Sequence, residues 1–357
     1  MKEIEIYLRK LLLSLYLFFR KNEKKNTELI ISSKDKILLI RLNRIGDALV
    51  TTHLIKNIKE HTGCEIHVLA DRKNHFIFEN DANVDRTLVF PKKLKEIKIL
   101  QEEINNSEYQ ALFDLHDDVS TSVSFFIGLL NVKNKVGYNK KSKKIFTHLV
   151  PYLDPTKHHI MERYLQFLNF LNIPFDQNKI KVNYQPTTEA LQYADELINN
   201  LFEEKKFLVG INISAGSEAR FWGIERYKKL ISYFSQYDIN IILFSSPSEI
   251  EKAKQIIENE KLISAEPTFE KMTAVLKQID FLFSPDTSLV HIASSYNLPV
   301  FGIYINYNTD HVVWYPYNTE HELIITEKPN FNELEFDTVI NKLKIFFECI
   351  YYDKRNS

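Results

Sequence analysis

Five short segments hold the residue types from which a group-transfer site can be built. In Arg41-Leu42-Asn43-Arg44-Ile45-Gly46-Asp47, a carboxylate follows an apolar run and precedes a helical one. At the carboxyl end of a strand it faces a ligand and can take a proton from a hydroxyl. An Asp in that place can equally cap the helix starting at Ala48, and spacing leaves both readings of Asp47 open. Asn43 and Gly46 accompany it, Gly46 as the residue that lets the backbone turn tightly. With a lone Gly and no G-x-G-x-x-G pattern, the turn is not a dinucleotide fingerprint.

Residues 214–222, Ser-Ala-Gly-Ser-Glu-Ala-Arg-Phe-Trp, follow a second apolar run. Gly216 and Ser217 are small enough for backbone N–H groups to approach a phosphate, and the next helix N-terminus adds its dipole. Arg220 is a fixed cation that can hold a diphosphate as it departs, or it can stack on Trp222. In residues 284–293, Asp286 or Thr287 is a natural N-cap, which leaves N–H groups at Thr287 and Ser288 for an anion. His291, one turn later, reads as a packed or capping histidine, since no partner for catalysis is visible. Glu249, at the end of another strand, suits ribose hydroxyls or simply the positive end of its helix. Asp114, Asp117 and Asp118 have spacing suggestive of Mg²⁺ or Mn²⁺, but they lie in the other half from the phosphate-type loops, and no metal is expected. No Cys/His cluster suggests zinc, and no G-x-S-x-G suggests a hydrolase.

Elements that alternate between strand and helix must position these residues. Strands are expected at 36–42, 65–70, 86–90, 110–115 and 135–138, with a helix at 48–61. A mostly helical connector, about 158–204, precedes a second series of strands at 207–213, 239–244, 281–284 and 300–304. Helices are expected there at 224–234, 247–259, 269–277, 288–296 and 333–351. Such alternation implies two parallel sheets covered on both faces, an α/β fold with a cleft between two Rossmann-like halves.

Composition narrows the class. A length of 357 residues favours two domains, and 44% hydrophobic content supplies their cores. A net charge of −1 offers no global field for nucleic acid. Cys64 and Cys349, far apart in sequence, fit a reducing compartment. At the N-terminus, the uncharged run 11–19 is too short to span a bilayer. Flanked by Lys2, Arg9, Lys10, Arg20, Lys21, Lys24 and Lys25, it reads as an amphipathic helix lying on a membrane surface, or as one packed on the protein.

The segments KILLIRLNRIGDALVTTHLIKNIKEHTGCEIHVLA, HHIMERYLQFLNFLNI, ISAGSEARFW, LFSSPSEIEKA and SPDTSLVHIA, in that order and spacing, resemble glycosyltransferase family 9, the ADP-heptose:lipopolysaccharide heptosyltransferases. The resemblance covers about 36–317 and implies a GT-B fold with inverting, metal-independent sugar transfer. It implies Asp47 as catalytic base, Arg220 as donor-diphosphate ligand and Glu249 as ribose ligand. Asp286, Thr287 and Ser288 match the loop that meets phosphate and sugar. The implied donor is a nucleotide diphosphate sugar resembling ADP-heptose, used without a cofactor. A lipid-linked or lipopolysaccharide-core glycan is the implied acceptor, at the cytoplasmic face of the membrane. Ser288 stands where the family usually has Gly, Gly223 where it has Pro, and residues 303–307 lack its small-residue and Pro pattern. These departures bear on the donor sugar. The expected organisation is a membrane-associating helix (1–30), an acceptor domain (36–155), a connector (156–205), a donor domain (206–330) and a terminal helix (331–357). Two other classes use similar parts: a nucleotide-sugar epimerase or hydrolase, and a non-catalytic nucleotide-sugar-binding subunit.

Overall fold

A computed structural model of the chain describes residues 2–19, 27–257 and 268–356. The basic run 20–25 and the end of the helix expected at 247–259 fall outside the described residues. Two compact units divide the chain, Met1–Gln177 and Asn178–Ser357.

The first unit begins with α1 (Lys2–Phe19), β1 (Lys36–Arg41), α2 (Ile45–Leu49), α3 (Thr52–Thr62), β2 (Glu65–Ala70), α4 (Phe76–Glu79) and β3 (Arg86–Val89). It continues through α5 (Leu94–Asn106), β4 (Ala111–Asp114), α6 (Thr121–Leu129), β5 (Lys135–Tyr138), β6 (His148–Val150) and α7 (Ile160–Phe170). Among the described residues its strands form one sheet in the order β3-β2-β1-β4-β5-β6, every pairing parallel. Ile37, Leu38, Leu39 and Ile40 are fully buried, as a central parallel strand with helices on both faces requires. Strand order reverses between β1 and β4, so the crevice for a ligand lies at the carboxyl ends of these two strands.

The single helix expected at 48–61 is two helices. Val50 and Thr51 separate them, and the Thr51 and Thr52 hydroxyls donate to the Ala48 and Leu49 carbonyls. A β-branched run with such back-bonding interrupts a helix readily. The tight turn credited to Gly46 is made instead by Asn43, whose φ is +102°, while Gly46 lies inside α2. Strand β6 went unread because it is a three-residue edge strand.

Helix α1 packs on α6. Leu13 is buried, Tyr16 meets the Phe125 ring at 5.3 Å, and Gly128 leaves the space that the Tyr16 phenol fills. Residues 13, 16 and 17 share this face by helical spacing. Leu11, Leu12, Leu15, Phe18 and Phe19 make a second apolar face, and all five are exposed.

The second unit comprises α8 (Thr188–Leu201), β7 (Phe207–Asn212), α9 (Ile224–Phe234), β8 (Ile239–Phe244), α10 (Ile250–Ile256), α11 (Phe269–Leu276) and β9 (Phe281–Pro285). It ends with α12 (Ser288–Ser295), β10 (Val300–Ile305), β11 (His321–Thr326) and α13 (Phe336–Asn356). The sheet order among the described residues is β11-β10-β9-β7-β8, again parallel throughout, with its reversal between β7 and β9. Strand β11, half-exposed along its length, lacks the buried apolar run that marks the others. Residues 156–205 divide between the units, α7 with the first and α8 with the second. Thr187 caps α8 and donates its own N–H to Glu270 on α11 at 2.9 Å. Val339, Leu343 and Phe347 of α13 join Val209, Phe281 and Phe283 in the core.

Candidate active site

In the first unit Asp47 lies in the first turn of α2, whose N-cap position is Arg44. It is therefore not the cap of a helix starting at Ala48, and that reading is corrected. Its side chain is 15% exposed and forms an ion pair through Oδ1 with Nη2 of Arg41. Arg41 closes β1 and is fully buried. Its Nε donates to the Asp47 carbonyl at 3.1 Å and its Nη1 to the Leu115 carbonyl at 2.9 Å. Tyr164 lies 5.7 Å from the guanidinium and donates its hydroxyl to the same Leu115 carbonyl. Burial opposes the positive charge, but Tyr164, Asp47, Asp117 and Asp118 outweigh it, and Arg41 holds its proton more firmly than usual.

The neighbouring loop, after β4, is stitched internally. Asp114 pairs with His116 Nδ1 at 2.7 Å and lies 3.3 Å from the Lys140 ammonium, which also donates to the carbonyls of His116 (2.5 Å) and Asp118 (2.7 Å). Burial pushes the Asp114 carboxyl up, yet Lys140 and His116 pull it well below the usual carboxylate range. His116 Nε2 accepts the Leu42 N–H at 3.3 Å, and Asp117 pairs with Arg163 at 3.0 Å. Among the described residues no group of three or more His, Cys, Asp or Glu is placed to hold a metal.

In the second unit, three loops converge at the carboxyl ends of β7, β8 and β9. Buried Asn212 joins them: its amide donates to the Ser214 carbonyl (3.0 Å), Ser284 Oγ (2.9 Å) and Thr287 Oγ1 (3.2 Å), and its Oδ1 accepts the Ser214 N–H. Ser214 Oγ accepts the Ser246 N–H at 2.6 Å. Gly216 has φ +68°, and no atom stands within 4 Å of where its Cβ would be, so the loop is open there. Ser217 continues it in extended geometry. Thr287 caps α12 by accepting the Leu289 N–H, and Ser288 opens that helix.

Arg220 reaches Asp286, with Nη1 3.1 Å from its carboxylate and 3.3 Å from its carbonyl. It does not stack on Trp222, which is fully buried, donates to the Leu334 carbonyl at 2.9 Å and stacks on Phe283 and Phe336. Core packing took the indole, which corrects that alternative. Glu249 stands at the N-cap position of α10 without capping it through its side chain, and accepts from Ser246 Oγ at 2.9 Å. His291 is buried 6.2 Å from the Trp314 ring, and burial lowers its pKa to about 4. It is a neutral packed residue.

This arrangement offers an anion a helix N-terminus, an open small-residue loop and a partly exposed guanidinium. Arg41 and Asn212, which organise the two units' loops, were overlooked in the sequence. The signal was a polar residue closing each apolar strand, KILLIR and FLVGIN, where a buried side chain must find several partners.

The chain has the fold of a family 9 glycosyl transferase from Veillonella parvula, with a TM-score of 0.74 at 18% identity over 90% of this chain and 99% of that one. The Escherichia coli heptosyltransferase WaaC, solved with ADP, gives 0.68 at 17% identity, covering 89% and 99%. Two parallel α/β units with this topology have the fold of the GT-B heptosyltransferases. Residues 97–344 match the model for glycosyltransferase family 9 (heptosyltransferase), and the chain belongs to that family. It is 23% identical to the lipopolysaccharide core heptosyltransferase OpsX of Haemophilus influenzae over 307 residues, 82% of this chain and 85% of that protein.

Proposed function

We propose that this glycosyltransferase moves a heptose or similar sugar, with inversion, from an ADP-linked donor to a lipopolysaccharide-core or other lipid-linked glycan. The observation that carries the donor half is the convergence of the 214–220, 245–249 and 284–288 loops on Arg220 and the N-terminus of α12. In this reading the donor diphosphate lies against Arg220 and the backbone N–H groups at Gly216–Ser217 and Thr287–Ser288. Asp286 and Glu249 meet the sugar and ribose. Asp47 takes the proton of the acceptor hydroxyl, which attacks the anomeric carbon opposite the leaving nucleotide. Arg220 and the amides stabilise charge as it develops on the diphosphate, without a metal. ADP in the WaaC structure and core heptosyltransferase in the name of OpsX support the donor and acceptor classes.

The test is incubation with ADP-heptose, with and without a lipopolysaccharide-core acceptor, and mass analysis of the products. Acceptor-dependent gain of one heptose is expected. Donor hydrolysis or epimerisation without an acceptor would favour the epimerase or hydrolase class, and binding without turnover the non-catalytic subunit. Arg220→Ala is expected to weaken ADP about 10- to 100-fold by titration, the loss of a charge-assisted contact. Undiminished ADP affinity would remove Arg220 from the donor site.

We further propose that α1 rests on the cytoplasmic face of the membrane through its open side. No helix among the described residues is long and apolar enough to cross a bilayer. Leu13, Tyr16 and Leu17 hold the helix to α6, whereas the Leu11, Leu12, Leu15, Phe18 and Phe19 face is uncovered and flanked in sequence by Lys and Arg. Leu15→Glu with Phe18→Glu should cut binding to anionic vesicles at least about 10-fold by losing two buried apolar groups, with the melting temperature unchanged. Vesicle binding equal to that of the parent would refute the attachment.

A further inference from the structure

We infer that Arg41 is the positioning residue for Asp47, an inference that rests on the reading of Asp47 as the base. Residues 42–44, turned by Asn43 at φ +102°, form a return loop that brings Asp47, in the first turn of α2, back to the end of β1. Arg41 closes this loop at both ends of one residue, holding the Asp47 carbonyl through Nε and its Oδ1 through Nη2. The remaining arm, Nη1, is fixed to the Leu115 carbonyl at 2.9 Å. That carbonyl also accepts the Tyr164 hydroxyl, and Leu115 donates its N–H to the Ile40 carbonyl at 3.1 Å. The carboxylate is therefore referenced to β1 and β4 together, the two strands that flank the switch point.

The chemistry of the pair follows from its geometry. Oδ1 is occupied by a guanidinium that stays protonated, so Oδ2 is the oxygen presented to an acceptor hydroxyl. A guanidinium reaches three acceptors in fixed, coplanar directions, which a single ammonium cannot reproduce. A buried cation is a poor choice for filling space, since apolar residues of similar volume do that at no electrostatic cost. Its use at the end of β1 is explained by what it orients.

The experiment is a double-mutant cycle on the full chain with Arg41→Lys and Asp47→Asn, singly and together. It reads kcat and KM in the transfer assay, with ADP affinity and melting as controls. Arg41→Lys is expected to lower kcat about 10- to 100-fold, the scale of a small misplacement of a reacting group. KM and ADP affinity should stay within about two-fold, and in the Asp47→Asn background the further loss should be under about two-fold, because the two act as a unit. A kcat near that of the parent, or an equal loss in both backgrounds, overturns the inference. Tyr164→Leu, which removes the ring beside the guanidinium but keeps both charged residues, supplies a second variant should Arg41→Lys not fold. It should show the same kcat-only loss, smaller in size, and the same disappearance with Asp47→Asn. Normal turnover in Asp47→Asn alone would remove the base reading itself. A strongly slowed Asp47→Asn combined with additive losses would remove only Arg41.

Discussion

Asp47→Asn is expected to lower kcat about 10²- to 10⁴-fold, the usual contribution of a positioned general base, while ADP binds as before. The substitution keeps the shape of the side chain, and the Asn carbonyl oxygen can still accept from Nη2 of Arg41. What it removes is the negative oxygen to which the proposed mechanism gives the acceptor proton. It also leaves Arg41, fully buried, without its closest counter-charge. A loss of ~1–3 kcal/mol in stability should accompany the loss of rate, since Asp117 and Asp118 offset the charge only in part. Steady-state kinetics beside calorimetric ADP titration check both halves. Turnover near that of the parent would exclude Asp47 as the base, and weakened ADP binding would mean that its role is not confined to the acceptor side.

The second large effect is on stability in acid. His53 and His291 are buried, and burial draws each from 6.5 down to about 4. The Val50 carbonyl opposes this for His53 but does not outweigh burial. Because the folded pKa lies below the unfolded one, the unfolded chain binds more protons between these values. Stability is therefore complete above pH 6.5 and falls as the pH drops from 6.5 to 4. Each histidine contributes ~3 kcal/mol to that loss. Asp114 adds to it lower down: its depressed carboxyl stabilises the fold above about pH 4 and loses that effect as acid protonates it. Denaturant midpoints measured from pH 7.5 to 4.5 should fall steeply. His53→Leu should flatten the curve by about the part that this histidine contributes, leaving the part due to His291. Parallel curves for parent and variant would show that His53 is not held neutral.

Much of the fold was legible because buried parallel strands are continuous apolar runs, and KILLIR, EIHVLA, FLVGIN and INIILF are such runs. The strands that escaped, β6 and β11, are edge strands, where burial is partial and the signal fades. The break between α2 and α3 escaped as well, because the apolar spacing continues through it while the hydroxyls of Thr51 and Thr52 do the interrupting.

Of the candidate site, the sequence by itself determined which residues follow the carboxyl ends of β1, β7, β8 and β9: Asp47, Gly216, Arg220, Glu249, Asp286, Thr287 and Ser288. Strand periodicity and turn chemistry are local, so neighbours along the chain suffice to place them. Tertiary structure alone decided their partners. Hydrogen bonds and ion pairs join residues far apart in sequence, such as Asn212 with Thr287, Arg220 with Asp286 and Arg41 with Leu115. It also decided that Trp222 belongs to the core while Arg220 turns to Asp286, because the aromatic layer of Phe283 and Phe336 gives the indole a place that no local rule could foresee.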